Sequence, residues 1–380
     1  MAGTPLWPTI DGGRVRTAAL VKELSRHFPV ALIRPVDRTA KDGSEPMAHA
    51  PVPEVLFTPS HRAGSARFFS SPRPRVGLSV IDRRTRREVR RLIEGLAPRS
   101  VLFAHSYLAA VVTTPPDVAD VVDFANVEVE RFQSLARAAR GHHRASAAWE
   151  GLKARRWEPH VARKAALCVA VRRDHEHVLR SWGGEPVLVP NASDVPQDAT
   201  PSPPNGPVVY VASAGYRPNV EAGARLIRDI WPRVVAHLPD ARLQIIGSES
   251  DGVYRWAVGR VGVDVVGQVD DVAPYFERAA LAVLPVEEGS GTQLKAAQAL
   301  AHARVLVATP HSAASIPDEP RQQCDVADTS EKFASAVVRL LENVDVRHNR
   351  EAHLRATRDS LPTWETACRP LVERLRHLVL

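Results

Sequence analysis

The residues best suited to chemistry lie in one stretch, EEGSGTQLKAAQALAHARVLVATP, which runs from Glu287 to Pro310. An apolar strand is expected before it, and a helix is expected to start near Thr292. Glycines in such a loop let backbone N–H groups approach an anion, and the helix dipole adds to the attraction. The groups available are glycines, hydroxyls, a carboxylate and an ammonium: Glu288, Gly289, Ser290, Gly291, Thr292 and Lys295. The spacing matches neither GxGxxG nor a P-loop, so it predicts only an anion, such as a diphosphate, on a helix start.

Three further loops place polar residues where a strand or a turn meets a helix. Gly12 and Gly13 precede a helix expected to start near Arg14, and a simple turn and an anion-binding turn both remain open. His105 ends the apolar run SVLFAHS, either as a ligand-facing side chain or as a histidine bonded to a neighbouring loop. Arg217, in YRPN, could reach a phosphate, although the proline beside it is also ordinary at a helix start.

Alternating short strands and helices must position these loops in the second half of the chain. Strands are predicted at VVYVAS, ARLQIIGS, VDVVGQV and LAVLPV, and helices at VEAGARLIRDIWPRVVAHL and VAPYFERA. This alternation is typical of a parallel, doubly wound sheet. Ligands of such sheets bind beyond the carboxyl ends of the strands, where the loops containing Arg217 and Gly289 fall.

The first half shows a similar but less regular alternation. Helices are predicted at RVRTAALVKELSRHF, DRRTRREVRRLIEGLA and RDHEHVLRSWGG, and strands at VALIRPV, SVLFAHS, DVVDFAN, ALCVAV and PVLVPN. One long charged helical region is predicted from about Val127 to Arg163. No apolar strand precedes the turn at Gly12, so either that strand is very short or the printed start lies too far downstream. A linker rich in Pro, Ser and Asn, residues 191–207, separates the halves.

Charge and composition limit the classes of function. The formal net charge is +7, and it is uneven: residues 1–190 carry 30 Lys and Arg against 19 Asp and Glu, and residues 191–380 carry 20 against 24. A basic half suggests an anionic ligand or surface, although a merely solvated basic surface is the favoured explanation. The arginines are not interleaved with aromatic residues and no recognition motif appears, so no nucleic-acid partner is expected.

Other features point to a cytoplasmic protein without a metal site. The three cysteines are far apart and form no CxxC pair, which favours reduced thiols. No apolar run of about 18 residues and no signal-peptide pattern occur. His175 and His177 lie two residues apart on a helix and so point to different sides, which does not suit a metal.

Together the motifs resemble those of the GT-B-fold glycosyltransferases, specifically the group 1, GT4-like nucleotide-sugar transferases. The resemblance is carried by VASAGYRPNVEAGARLIRDIWPRV, ARLQIIGS and VVGQVDDVAPYFERAALAVLPVEEGSGTQLKAAQALAHARVLVATP, across about residues 208–316. DGGRVRTAALVKEL, VVDFANVEVERF and PVLVPNASD match more loosely. The resemblance implies two Rossmann-like, doubly wound domains facing a central cleft. Their expected bounds are 1–190, a linker 191–207, 208–362, and a last helix 363–380 that returns to the first domain.

This resemblance also implies roles for the residues. The second domain would hold a nucleoside diphosphate sugar such as a UDP-sugar, and the first domain would hold the acceptor. Gly12 and Gly13 would press on the diphosphate or sugar from one side, and the loop from Gly289 to Thr292 would hold it from the other. Arg217 and Lys295 would offset the leaving-group charge, and His105 would lie near the sugar. The family implies a metal-free reaction that retains the anomeric configuration.

One position departs from the family pattern. The family's second acid, which bonds the ribose hydroxyls, is replaced by Gln298, whose neutral carbonyl makes weaker bonds than a carboxylate. The first acid is also out of register. Ser290 stands at the usual spacing of eight residues before Gln298, and Glu288 stands at ten. Either Ser290 has replaced the acid or Glu288 reaches in from a longer loop.

Two functions are therefore favoured over a GT-B-like enzyme of another type, such as a sugar-nucleotide epimerase, against which the sequence of the second half argues. The favoured one is an active glycosyltransferase that acts on a secondary metabolite, an oligosaccharide or a cell-envelope precursor. The alternative is a degenerate GT-B protein that binds a partner or a sugar nucleotide without transfer. A row of arginines could also contact anionic lipid peripherally or contact an anionic acceptor, although the solvated face of a helix is favoured. These residues are Arg83, Arg84, Arg86, Arg87, Arg90 and Arg91.

Overall fold

The computed structural model describes residues 1–3, 11–36, 52–58, 71–138, 140–194, 196, 199–289, 294–314 and 316–379. The chain divides into two compact units. The first contains Gly13–Pro190 together with Glu365–Leu380, and the second contains Asn191–Trp364. None of the described helices has both the length and the apolar character needed to cross a membrane.

Two parallel sheets form the first unit. The strands are β1 (Leu32–Pro35), β2 (Glu54–Phe57), β3 (Ser100–Phe103), β4 (Ala119–Phe124), β5 (Leu167–Ala170) and β6 (Pro186–Leu188). The helices before the linker are α1 (Gly12–Ser25), α2 (Arg75–Val80), α3 (Arg83–Leu96), α4 (Ser106–Ala109), α5 (Glu128–Ala138), α6 (Gly141–Lys164) and α7 (Arg173–Ser181). Strand β1 pairs with β2, and β3 to β6 pair in chain order.

Local sequence explains how these elements form. All four residues of β5 are buried, as expected for a central strand of a parallel sheet covered on both faces. Helix α3 starts at the cap residue Asp82, whose carboxylate accepts hydrogen bonds from the backbone of Arg84 and Thr85, both at 2.9 Å. Thr85, Val89 and Ile93 repeat at helical spacing and form its buried stripe, which leaves most of its arginines in solvent.

The charged helical region predicted from about Val127 to Arg163 is observed as two helices, α5 and α6. The second helix, α6, begins at Gly141, which has a left-handed φ of 57°. Glu158 of α6 then caps the start of α5, because its carboxylate accepts the backbone N–H groups of Glu128 and Val129 at 2.9 Å. Burial raises the pKa of Glu158 to about 8.

The first residues of the chain contact both sheets of the first unit. The backbone N–H of Ala2 donates to Ile33 in β1 at 2.9 Å, and the carbonyl of Met1 accepts from Ala104 at 3.0 Å. The Met1 ammonium donates to the Leu102 carbonyl in β3 at 2.5 Å. These bonds lie where an apolar strand before the glycine turn was expected.

One six-stranded parallel sheet forms the second unit, in the order β12-β11-β10-β7-β8-β9. The strands are β7 (Val208–Val211), β8 (Leu243–Ile246), β9 (Val263–Gly267), β10 (Leu281–Leu284), β11 (Leu306–Ala308) and β12 (Asp325–Val326). The helices are α8 (Arg217–Arg225), α9 (Trp231–His237), α10 (Ser250–Val253), α11 (Ala273–Arg278), α12 (Leu294–Ala301), α13 (Pro310–Ala313), α14 (Asp318–Arg321), α15 (Ser330–Glu342), α16 (Val344–Ala356) and α17 (Trp364–Val379). Most of α17 groups with the first unit.

The Pro-rich linker is packed against the second unit over part of its length. Glu351 is fully buried and accepts a hydrogen bond from the backbone of Ser202 at 2.8 Å. Arg347, also fully buried, donates to the Ser202 hydroxyl at 2.8 Å and to the carbonyl of Pro203 at 3.1 Å. Buried charges of this kind need such partners, so this part of the linker has a fixed path.

The predicted helix from Val220 to Leu238 is observed as one helical stretch with an irregular centre. It comprises α8, a π-helical turn at Leu226–Ile230, and α9. A π-helical turn adds one residue to the helix and changes which side chains face the sheet. Arg225 lies just before this turn and Arg228 lies within it, so the two side chains have different surroundings.

Candidate functional site

The strand order of the second unit defines a site at one edge of its sheet. Strand β7 lies between β10 on one side and β8 on the other, so the chain leaves β7 at the point where the strand order reverses. In open parallel sheets, ligands bind outside the carboxyl ends of the strands at this reversal. The loops after β7, β8, β10 and β11 all open at that edge.

The loop after β7 carries the predicted residue Arg217. Arg217 is the first residue of α8, is half exposed, and forms an ion pair with Glu221 one turn later, at 2.7 Å. Exposed pairs at this spacing contribute only about 0.3–0.5 kcal/mol, so the guanidinium can leave Glu221 at little cost. Tyr216, beside it, was not predicted as a site residue.

Lys295 is the cation most closely integrated into the site. Its ammonium donates to the side-chain oxygen of Asn219 at 2.7 Å and lies 5.4 Å from the ring centre of Tyr210. Burial lowers the pKa of Lys295 to about 7. A lysine in this state gains more from a bound anion than an exposed lysine does, because the anion restores the charge stabilisation that burial removed.

Asn219 fixes the orientation of that lysine contact. Its side-chain nitrogen donates to the carbonyl of Ser213 at 2.9 Å, which directs its side-chain oxygen toward Lys295. Its backbone carbonyl accepts the hydroxyls of Tyr210 at 2.8 Å and Tyr254 at 3.0 Å. Asn219 was missed by sequence reasoning, although a polar amide in the first turn after a strand was a usable signal.

The loop after β10 is anchored on both sides. Arg225 donates to the carbonyl of Pro285 at 2.7 Å and pairs with Glu287 at 2.7 Å. From the β11 side, the hydroxyls of Thr309 and Ser312 donate to the carbonyl of Val286, the latter at 3.1 Å. The start of the predicted anion loop is therefore held in place before any ligand binds.

Gly289 occupies a position that a side chain would disturb. Its φ is 144°, a conformation that other residues rarely adopt, and an added Cβ would lie 3.2 Å from the Tyr216 hydroxyl. The same Cβ would lie 3.8 Å from Nε2 of His311. Glu288 is partly buried beside it. The remaining predicted loop residues, Ser290, Gly291 and Thr292, lie outside the described residues.

The loop after β8 adds an acid that sequence reasoning missed. Glu249 is a non-glycine residue with a φ of 62°, which is a strained conformation for its type. Its carboxylate lies so close to Gly215 that a Cβ on that glycine would approach Oε1 to 2.9 Å. The hydroxyls of Ser213 and Ser248 share a hydrogen bond of 2.7 Å across the same two loops. The sequence signal that could have identified Glu249 was an acid directly after the end of a strand.

Gln298 follows Lys295 by three residues on α12, so the two side chains lie on the same face of the helix. Gln298 is partly buried, and its backbone carbonyl accepts from His302 at 3.2 Å. The structure therefore places Arg217, Gly289 and Lys295 at the carboxyl edge of one sheet, and Gln298 lies three residues beyond Lys295 on α12.

Of the remaining predicted residues, Gly13 and His105 belong to the first unit, whereas Gly12 groups with the second. Gly12 and Gly13 are the first two residues of α1, so that helix starts earlier than expected. His105 precedes α4 at the end of β3, and its ring stacks on Tyr107 with centres 4.9 Å apart. Arg16, one turn into α1, forms a buried ion pair with Asp123 at 2.9 Å.

Two further sets of charged groups are metal-ligating side chains and the arginines of α3. The described residues contain no group of three or more His, Cys, Asp or Glu side chains placed to hold a metal ion. Of the six predicted arginines of α3, five are exposed, whereas Arg86 is partly buried. The pKa of Arg86 is lowered by burial and then by the nearby charges of Arg73 and Arg83.

Comparison with known proteins identifies a family that is similar to the second unit. Residues 206–343 match the family model described as Glycosyl transferases group 1. No curated protein sequence matches the chain significantly. This matched region contains every second-unit residue discussed above as part of the site.

Solved structures of similar fold cover nearly the whole chain. Sucrose-phosphate synthase from Thermosynechococcus elongatus is 16% identical, with a TM-score of 0.65 over 97% of this chain and 93% of that one. HepE from Anabaena, solved with UDP and glucose, is 11% identical, with a TM-score of 0.65 over 99% and 98%. A glycosyltransferase from Rickettsia africae is 11% identical, with a TM-score of 0.62 over 97% and 96%.

These findings confirm the predicted fold and the predicted family resemblance. The chain has the GT-B fold with two Rossmann-like units, and residues 206–343 of its second unit are similar to the group 1 glycosyl transferases. The whole-chain likenesses have low identity and so establish the fold alone.

Proposed function

We propose that this chain, whose residues 206–343 are similar to the group 1 glycosyl transferases, transfers a sugar from a nucleoside diphosphate sugar to an acceptor. The second unit would bind the donor at the carboxyl edge of its sheet, and the first unit would bind the acceptor. The observation that carries the proposal is the position of the Lys295 ammonium. This partly buried group lies where the strand order reverses, is fixed by Asn219, and is next to an anchored glycine loop.

The chemistry follows from where charge develops. Breaking the bond between the sugar and the diphosphate leaves negative charge on the diphosphate, and fixed cations at that position accelerate the reaction. Lys295 would supply most of this stabilisation, because it needs no reorganisation. Arg217 would join it after leaving Glu221, and the backbone N–H groups near Gly289 would bind the phosphate oxygens.

The nucleoside side of the donor involves a weaker contact. Gln298, on the same helix face as Lys295, would accept a ribose hydroxyl through its side-chain carbonyl. Glu288 remains the candidate for the first acid of the pattern, and it is partly buried at the end of the anchored loop. His105 would lie near the sugar, and Gly12 and Gly13 would contact the diphosphate or the sugar.

Finer features of the reaction are also proposals. The donor to test first is UDP-glucose, since HepE, which has a similar fold, was solved with UDP and glucose. The transfer would retain the anomeric configuration and would need no bound metal, because the lysine and arginine offset the leaving-group charge. The acceptor would be a small molecule or a glycan, such as a secondary metabolite, an oligosaccharide or a cell-envelope precursor.

The test measures release of UDP or GDP from a panel of sugar nucleotides, with and without candidate acceptors and with EDTA. Release that persists in EDTA and is lost in Lys295→Met supports the proposal. Lys332→Met is the matched control, because Lys332 is exposed and pairs with Asp328 on the surface. A thermal shift with a donor but no release with any acceptor supports the alternative, a degenerate GT-B protein that binds without transfer. If no donor is cleaved and no donor causes a thermal shift, both the transferase and the non-catalytic alternative are excluded.

A further inference from the structure

An exposed apolar loop lies in the second unit, between α10 and β9. Trp256, Val258 and Val261 expose 38%, 72% and 68% of their surface. We define these three residues as the Trp256 loop. Two glycines with left-handed backbone, Gly259 (φ 84°) and Gly262 (φ 68°), form its turns.

The Trp256 loop has a fixed conformation. The indole N–H of Trp231 donates to the carbonyl of Val261 at 3.2 Å, and the carbonyl of Gly262 accepts from Leu243 at 2.7 Å. A Cβ on Gly262 would lie 2.5 Å from the carbonyl of Ala241, so only glycine fits there. The valines are therefore held in solvent by the hydrogen bonds of the loop.

Three arginines lie next to Trp256 in space or in sequence. The guanidinium groups of Arg228 and Arg260 lie 4.3 Å and 5.2 Å from the ring centre of Trp256. Arg228 belongs to the π-helical turn, and Arg255 immediately precedes Trp256. Over the described part of the chain, none of these three arginines forms an ion pair with a carboxylate, unlike many of the other exposed arginines.

We propose that the Trp256 loop and its three arginines form a contact site for an anionic lipid surface. The valines would enter the interface, Trp256 would lie at headgroup depth, and the arginines would bind lipid phosphates. The apolar area of three side chains is too small for a stable protein interface, which buries roughly 800 Å² per partner. The high exposure of both valines indicates a protruding surface. A protruding surface can enter a membrane interface, whereas a groove cannot.

The site is separate from the proposed donor site. Gly262 bonds to the first residue of β8, so the end of the loop next to Val261 lies at the amino end of the strands. Lys295 and Gly289 lie beyond the carboxyl ends. Changes in the loop should therefore leave donor binding and UDP release in solution unchanged.

Co-sedimentation with vesicles of phosphatidylcholine, with and without phosphatidylglycerol, tests the proposal. Wild type should bind only the anionic vesicles, and binding should weaken as salt rises. Each of Arg228→Gln, Arg255→Gln and Arg260→Gln should lower the partition coefficient about fivefold. The pair Val258→Ser and Val261→Ser should lower it about tenfold. Val326→Ser, at an exposed position on the other edge of the sheet, should have no effect.

The combined variant Arg228→Gln, Arg255→Gln, Arg260→Gln has a matched control on α3, the variant Arg83→Gln, Arg87→Gln, Arg91→Gln, which removes the same three charges elsewhere. An equal loss of binding with this variant would overturn the proposal, because it would show attraction by net charge alone. Failure of wild type to bind anionic vesicles would also overturn it. So would a dimer in solution that dissociates in the Val258→Ser, Val261→Ser variant, since the loop would then bind a second copy. Unchanged thermal stability of each variant excludes misfolding as the cause of a loss.

Discussion

Raising the pH through neutrality should weaken UDP binding, because the ammonium that faces the proposed diphosphate loses its proton. Burial lowers the pKa of Lys295 to about 7, and its contact with Asn219 supplies no negative charge to raise it again. Only the protonated form attracts the diphosphate strongly. The bound diphosphate should in turn raise the pKa of Lys295 well above that of the free protein.

The size of this effect follows from the pKa. With a pKa of about 7, roughly nine-tenths of the protein carries the charge at pH 6 and roughly one-tenth carries it at pH 8. The apparent affinity for UDP should therefore fall about tenfold between these values, which is about 1.4 kcal/mol. An ordinary exposed lysine, with a pKa near 10.4, would produce no change over this range.

Isothermal titration calorimetry of UDP at several pH values measures the affinity and, through buffers of different ionisation heat, the protons taken up. Wild type should take up close to one proton per UDP at pH 8 and few at pH 6. Lys295→Met should bind more weakly and lose this dependence, which also corrects for the titration of UDP itself. An affinity that is flat, or that changes identically in both proteins, would refute the reasoning.

Three other expectations concern single contacts. Arg225→Met should raise the donor KM about tenfold, since a charged hydrogen bond contributes about 1.5–3 kcal/mol, whereas Arg233→Met, at an exposed site, should not. Arg16→Met should lower the free energy of unfolding in urea by about 3–5 kcal/mol because it leaves Asp123 buried and unpaired, and a loss below 1 kcal/mol would contradict this. Because burial raises the pKa of Glu158 to about 8, the free energy of unfolding should fall as pH rises from the usual carboxyl range to 8. Glu158→Gln should flatten this pH dependence. An unchanged slope in the variant would contradict the expectation.

Sequence patterns predicted the features that depend on neighbouring residues. The alternation of strands and helices predicted the second sheet, and the end of each strand predicted which loops carry the site. Gly289 and Lys295 were therefore identified before their geometry was known. The boundary between α5 and α6 near Gly141 was not predicted, because the residues around it continue the charged, helical pattern of the predicted region.

Contacts between distant segments could not be predicted in the same way. Asn219 and Lys295 are in contact because β10 lies beside β7. No local sequence pattern determines this order of the strands. Arg225 reaches the loop after β10 for the same reason, and the π-helical turn that follows it has no sequence signature that we recognise. Glu249 was missed because its role depends on a strained backbone, which reflects the surrounding packing and not its own preference.

The neutral side chain of Gln298 and the lowered pKa of Lys295 have a common physical basis. Side chains three residues apart on a helix are neighbours, and an acid at position 298 would stabilise the charged lysine. Burial alone accounts for the shift of the Lys295 pKa, with no carboxylate to oppose it. The neutral glutamine thus leaves the lysine partly deprotonated at neutral pH, and the site gains its full charge only when an anion binds.

Gln298→Glu tests this connection. The new carboxylate should raise the pKa of Lys295, so the midpoint of the pH dependence of UDP affinity should move above 7. It should also strengthen the bond to the ribose, so affinity at pH 8 should rise more than affinity at pH 6. Gln322→Glu, outside the site, provides the control for added charge. A higher affinity with an unchanged midpoint would place residue 298 on the ribose but separate it from Lys295. An unchanged affinity at both pH values would remove it from the donor site.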